Sequence, residues 1–285
     1  MKWISLIALA ASTAIAADPL PTVETLHDMH LQTDLVHAGK TRCLIAAPVS
    51  EPGRRLANLL ADAVAESAGV RPDVRLASTV TDAELASRNI LALGVFANNA
   101  VLERLYRRSF VSCDWTWPKG EAAWVVRSVH NPWLKGTNVI AVQSVTEAGL
   151  VAAVAHLAER IRGSKGALSP ILEVRDDSGP PPKGKALETA RNTIASSTSS
   201  RSMGGVTARY ANQYYRTGHR EYAALFLAAM RKLDTLHEAE GDASDVRTCR
   251  YLHMQFDRID EAPAFTQAER LELVNLFLRF ACRMT

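Results

Sequence analysis

The sequence predicts a mixed α/β domain followed by an all-α region, and three observations carry that prediction. Short apolar runs alternate with amphipathic helical stretches between residues 41 and 162, the pattern of a mostly parallel sheet. Two of the runs, 123–129 and 138–144, are separated by Asn131-Pro132 and Lys135-Gly136. That turn chemistry predicts a β-hairpin, and so an antiparallel part of the sheet. After residue 205 the strand signal ends, and apolar residues recur at helical spacing.

Residues 41–48 read as the first strand, ended by Pro48. Residues 54–67 place Leu56, Leu59, Leu60, Ala63 and Val64 on one helical face, and Gly69 closes that helix. Residues 73–77 are the second strand, and Thr81 or Asp82 caps a short helical turn running to Ser87. Residues 89–95 form a strand of buried type. Asn98 or Asn99 then caps a helix whose apolar face is Val101, Leu102, Leu105 and Tyr106. The hairpin follows, and then a helix with Leu150, Val151, Val154, Leu157, Ala158 and Ile161 at helical spacing.

Residues 163–205 are rich in Gly, Pro and Ser and read as a linker, within which 171–174 has strand character and 186–195 helix character. Helices follow over 207–217, 220–240, 246–259 and 266–283. The last opens with Thr266-x-x-Glu269, a capping box, and is apolar on a wide face. Such a face expects more protein against it, from beyond Thr285, from its neighbours or from an oligomer partner.

Met1-Lys2, an apolar run to Ala11 and Ala14-Ile15-Ala16 read as a secretory signal peptide over 1–16, which predicts a secreted or periplasmic protein. The apolar run is too short to favour a membrane span. The expected organisation is therefore a signal peptide (1–16), an irregular lead-in (17–40), an α/β domain (41–162), a linker (163–205) and a helical domain (206–285). A composition of 47% hydrophobic and 22% charged residues excludes a disordered chain. A net charge of +3, with bases interleaved among acids, gives no basic stripe, so no nucleic-acid partner is expected.

No residue is assigned as catalytic. G-x-G-x-x-G, G-x-x-x-x-G-K-[ST] and G-x-S-x-G are all missing, which argues against a nucleotide site or an esterase and leaves no cofactor implied. His27, His30 and His37 lack metal-ligand spacing, and no metal is expected. Tryptophans on loops stack on sugar rings, so Trp115, Trp117 and Trp133 are substrate-binding candidates, against a competing role in packing. Trp124 alternates with Val126 and Ser128 and reads as core. Asp114, Arg127 and His130 supply an acid, a cation and a base beside the tryptophans. In the helical part Tyr214, Tyr215, Arg216 and His219, with Asn212 and His253, are a candidate polar cleft, against a competing role in helix–turn–helix packing. Secretion permits disulfides, with Cys43–Cys113 and Cys249–Cys282 the expected pairs, against a reading as small buried hydrophobes.

Residues 90–102, Trp124-Val-Val-Arg-Ser-Val-His-Asn-Pro-Trp133 and the run from Gly136 to Val142 resemble the α/β accessory domain found ahead of catalytic domains in secreted glycan-degrading enzymes. Such domains precede the barrel in α-glucuronidases and β-hexosaminidases. Tyr214-Tyr-Arg-Thr-Gly-His-Arg-Glu-Tyr-Ala223 is similar to the opening of an α/α toroid of the heparinase or alginate-lyase kind. The resemblance implies the N-terminal part of a polysaccharide lyase or glycoside hydrolase, with a polysaccharide or oligosaccharide as partner and the chemistry mostly beyond Thr285. The alternative is a non-enzymatic binding module with a helical-repeat tail.

Overall fold

A computed structural model of the chain describes residues 22–177, 179–240 and 246–282. The chain forms two compact units. One comprises Asp28–Gly179 with Glu261–Pro263. The other comprises Pro180–Asp260, the described residues up to His27 and those from Ala264 onward. The signal peptide expected over 1–16 lies outside the described residues.

The first unit is a three-layer α/β fold. In chain order it contains β1 (Thr33–Asp34), β2 (Val36–His37), β3 (Lys40–Thr41), β4 (Cys43–Ala47), α1 (Glu51–Ala68), β5 (Asp73–Leu76), α2 (Asp82–Ser87), β6 (Asn89–Gly94) and α3 (Ala100–Arg107). It continues with β7 (Trp124–Val129), β8 (Val139–Gln143), α4 (Glu147–Arg162), β9 (Ala167–Leu168) and β10 (Leu172–Arg175). The main sheet has the order β10-β7-β8-β6-β4-β5. Strands β5, β4, β6 and β8 are mutually parallel. The predicted hairpin is present: β7 runs antiparallel to β8, and β10 antiparallel to β7.

Every residue of β4, β7 and β8 is buried, because helices cover both faces. One layer packs α1 and α4 against Ile45, Leu91, Val126 and Ile140. The other packs Leu85 of α2 and Val101, Leu102 and Leu105 of α3 against Leu44, Ile90 and Ala141. The helix signals act as expected. Thr81 and Glu84 form a reciprocal capping box, and Gly69 ends α1 at φ 74°, a left-handed cap suited to glycine.

Two stretches are more ordered than their composition implies. The lead-in carries β1 to β3, and β1 pairs with β9 from the stretch read as linker. Asn138 explains how polar lead-in residues are held. Its buried side-chain amide donates to His30 O (2.7 Å) and Gln32 O (3.0 Å). Within the stretch read as linker, the expected strand and helix are present as β10 and a helix over Lys185–Ser196, and the first turns of the next helix follow.

Cys43 and Cys113 are free and fully buried, which corrects the expected pairing. Cys43 packs in the layer under α1 and α4, whereas the segment leading to Cys113 leaves α3 with Val111 in the opposite layer. Burial pushes both thiols up to about 12, so they stay protonated and unreactive near neutral pH. The Cys249 and Cys282 side chains lie outside the described residues, and so does their expected pairing.

The second unit is helical, with α5 (Lys185–Ser196), α6 (Ser200–Thr217), α7 (Arg220–Glu240), α8 (Val246–Phe256) and α9 (Gln267–Cys282). Gly218, at φ 68°, ends α6 and lets α7 begin two residues later. The capping box of α9 is formed: Glu269 N–H donates to Thr266 Oγ1 (3.2 Å) and Thr266 N–H to Glu269 Oε2 (2.8 Å). Its wide apolar face meets chain already on hand. Leu273, Leu276, Phe277 and Phe280 are buried, and Asn275 exchanges two hydrogen bonds with the backbone of Val23 (2.7 and 3.0 Å).

Candidate functional site

In the α/β unit the parallel strands β4 and β6 end side by side, and their following segments diverge to helices on opposite faces of the sheet. Crevices of this kind, outside the carboxyl ends of strands at a topological switch, are where open α/β sheets bind ligands. Asn99 builds the floor. Its buried side chain accepts from Val101 N (3.0 Å) and Leu102 N (3.2 Å), capping α3, and donates to Ala46 O (2.9 Å) and Leu93 O (3.0 Å). One amide thus ties the ends of both strands to the start of a helix. Gly94, at φ 110°, makes the turn out of β6, and a Cβ there would lie 2.3 Å from Asn98 Oδ1.

Phe96 lies on that turn, and its ring stacks on Tyr106 of α3 with centroids 4.3 Å apart and planes 17° apart. Trp115 completes the group, 5.9 Å from Phe96 and tilted by 53°. Its ring is 78% exposed, a large apolar surface left in water. The cause is local. Asp114-Trp115-Thr116-Trp117 is a tight turn in which Asp114 N–H donates to Trp117 O (2.9 Å) and Trp117 N–H to Asp114 O (3.2 Å). Asp114 Oδ1 accepts from Thr116 N (2.8 Å) and Thr116 Oγ1 (2.6 Å), an Asx turn that puts Trp115 at the outer corner. Asp114 Oδ2 accepts from Tyr106 Oη (3.1 Å), which joins the turn to the stacked rings. Burial pushes the Asp114 carboxyl up, but the donors of Thr116, Tyr106 and Trp117 outweigh it and hold the group below its ordinary value. It is therefore ionised at neutral pH.

The other tryptophans have different places. Trp117, at the inner end of the turn, is 5% exposed and offers no face to a ligand. Trp124 packs in the core with its ring 4.8 Å from His156. Trp133 is half-buried against the α2–α3 layer, with the Arg108 guanidinium 5.3 Å from its ring. Asp114 and His130 have separate partners. The buried His130 ring has Nδ1 3.1 Å from Glu261 Oε2 and Nε2 3.0 Å from Leu31 O. Arg127 is buried in β7.

In the helical unit Tyr214 and Tyr215 are core residues. Tyr214 is 1% exposed, its hydroxyl accepts from Ala264 N (3.2 Å), and its ring meets Phe265 edge-on. Tyr215 is buried with the Arg258 guanidinium 5.6 Å from its ring. Arg216 is half-buried, as is His219, whose ring tilts against Tyr222 at 6.5 Å. Tyr214 and Tyr215 therefore offer no open face, and Arg216 and His219 are only partly accessible. An open groove of about 490 Å³ lies elsewhere, lined by Leu187 and Arg191 of α5 and by Arg220, Ala224, Leu225 and Ala228 of α7.

Among the described residues no group of three or more His, Cys, Asp or Glu side chains is placed to hold a metal ion, and no helix is long and apolar enough to cross a membrane. Sequence reasoning passed over Phe96 and Tyr106 as partners of Trp115. The usable signals were an aromatic residue just before the Asn98-Asn99 cap and the Asp-x-Thr spacing around Trp115.

No family model matches the chain, and no curated protein matches it. Among solved structures, that of CpGH84D is similar over 80% of this chain at 12% identity, with a TM-score of 0.36. The match covers 40% of that chain, so this protein corresponds to less than half of CpGH84D. A likeness that loose transfers no residue role.

Proposed function

We propose that the α/β unit is a non-catalytic glycan-binding module of a secreted or periplasmic glycan-degrading protein, a lyase or a hydrolase. The helical unit is, on this reading, the opening of an α/α toroid. The observation that supports the reading is the exposed face of Trp115, braced by the stacked Phe96 and Tyr106 and set beside an ionised carboxylate. A flat aromatic face matches the C–H face of a pyranose, and a carboxylate next to it accepts hydrogen bonds from sugar hydroxyls. Nothing in the group activates a nucleophile or positions an acid–base pair, so binding is the chemistry it supports.

Native gel electrophoresis through soluble polysaccharides tests this. The full chain is retarded by at least one polymer, and Trp115→Ala weakens that retention about tenfold, the scale of one aromatic contact. Identical mobility of wild type and variant in every polymer would sink the reading.

A second reading, a module that captures a protein, draws on the α5–α7 groove. It expects Ala224→Glu to abolish capture of that partner while leaving Trp115-dependent retention unchanged.

A further inference from the structure

We propose that the Trp115 platform selects neutral or amine-bearing glycans and rejects polyuronates, with Asp114 as the residue that sets the selection. This rests on the glycan-binding reading above, specifies the substrate class for the same site, and takes the hydrolase side of that reading, since lyases cleave uronate polymers.

The charge around the platform is one-sided. The loop from Arg108 to Ala123 carries Asp114, Glu121, Lys119 and Arg108. Arg108 is engaged away from the turn, donating to Pro132 O (3.2 Å) with its guanidinium over Trp133. On α3, Arg107 is bound through two nitrogens to Glu103 Oε1 (2.9 and 2.7 Å), and Arg104 is paired with Asp82. Asp177 docks on the same loop: its N–H donates to Lys119 O (2.9 Å), and its carboxylate lies over Gly120, 2.8 Å from where a Cβ would stand. Among the described residues of this loop, with Arg108 engaged elsewhere, Lys119 is the remaining cation, against the carboxylates of Asp114, Glu121 and Asp177.

Asp114 matters most because its position is fixed. Three donors lock its carboxylate at the base of the turn that presents Trp115. A sugar stacked on Trp115 brings the substituents at its ring edge toward that carboxylate. Hydroxyls donate to it and an ammonium group is attracted, whereas a uronate carboxylate meets like charge. The selection therefore separates two classes of polymer that an aromatic face alone would not distinguish.

The test is calorimetric titration of the full chain at low ionic strength with a neutral xylo-oligosaccharide, a chitosan oligosaccharide and an oligogalacturonate. The xylo-oligosaccharide and the chitosan oligosaccharide bind, the latter more weakly in high salt, and the oligogalacturonate binds severalfold more weakly than the neutral sugar. Asp114→Asn preserves the turn, because asparagine makes the same Asx contact. It raises oligogalacturonate affinity and lowers chitosan affinity by about two- to fivefold each, the range for one partly exposed charge. Oligogalacturonate binding to wild type as tightly as the neutral sugar would overturn the inference and leave the glycan-binding reading standing. So would an Asp114→Asn change that is equal for all three ligands. No Trp115-dependent binding of any of them would remove the glycan-binding reading, and the inference with it.

Discussion

In the helical unit, Tyr214, Phe265, Phe226, Phe256, Phe277 and Phe280 form one continuous chain of ring contacts 4.8–6.3 Å apart, and every ring is buried. In the α/β unit, Phe96, Tyr106 and Trp115 also touch in series, yet the last of them stands in water. Both are aromatic clusters. They differ in what positions the rings. In the helices, the 3.6-residue period turns aromatic residues to one face, and burial of that face holds the helices together. On the loop, hydrogen bonds made by Asp114 fix the backbone first, and the ring goes where the turn sends it. An aromatic cluster whose geometry is set by polar bonds, rather than by its own burial, is available to a ligand.

The largest effect that tests this contrast is on stability. Phe226→Ala removes a fully buried ring at the middle of the helical cluster and should cost about 3–5 kcal/mol. Trp115→Ala should change stability by no more than about 0.5 kcal/mol while weakening glycan retention. Urea unfolding followed by far-ultraviolet circular dichroism reads both. Comparable losses for the two variants would erase the distinction between a packing cluster and a presented one.

A smaller effect tests whether polar bonds do position the platform. Asn99→Ala removes the cap of α3 and leaves Ala46 O and Leu93 O without the donor they share, for a loss of about 2 kcal/mol. It should also weaken glycan retention, although Asn99 is buried, because Phe96 lies on the turn that leads into α3 and Tyr106 on α3 itself. Asn98→Ala, which loses a single exposed contact to Val95 N (2.9 Å), should cost well under about 1 kcal/mol. Equal losses for the two asparagines would mean that the amide between the strand ends is not what orders the site.

The same contrast explains what could be read from the sequence. The strands, the hairpin and the helices of the α/β unit were legible because period, cap and turn signals agree there: the cap at Thr81 or Asp82, Gly69, and Asn131-Pro132 before Gly136. The strands of the lead-in and β9 were not, because their order depends on partners distant in sequence. Asn138 reaches His30 and Gln32, and β1 pairs with β9. Composition carries no record of such contacts. At the site, the type of residue was legible but its exposure was not. Trp115 and Trp117 are two positions apart with similar neighbours, and only the Asx turn sends one out and the other in. Tyr214 and Tyr215 looked polar enough for a cleft, yet a phenol with a buried ring is an ordinary core residue.

The smallest effect separates the two units by the kind of donor that stabilises a carboxylate. Asp114 is held below its ordinary value against the upward push of burial by neutral donors, those of Thr116 and Tyr106. Glu272, on α9, is held below its own first by the hydrogen bonds of Arg231, whose Nε and Nη2 lie 2.6 and 2.7 Å from its two oxygens. For both acids the folded value is lower than the unfolded one. The stability each contributes is therefore complete above the unfolded value, about 4, and is lost as pH falls through the folded value. Asp114→Asn and Glu272→Gln should each cost less than about 1 kcal/mol at pH 7, because both carboxylates are partly screened by solvent. Each deficit relative to wild type should shrink below about pH 4. Salt then divides them. Raising sodium chloride to about 1 M shortens the screening length to about 3 Å and should reduce the Glu272→Gln deficit, which comes from a charge pair. The Asp114→Asn deficit should barely change, since hydrogen bonds from neutral donors are not screened in this way. Thermal melts of both variants at two pH values and two salt concentrations measure all four differences. A salt-sensitive Asp114→Asn deficit would mean that a cation, and not the turn, stabilises the carboxylate beside Trp115.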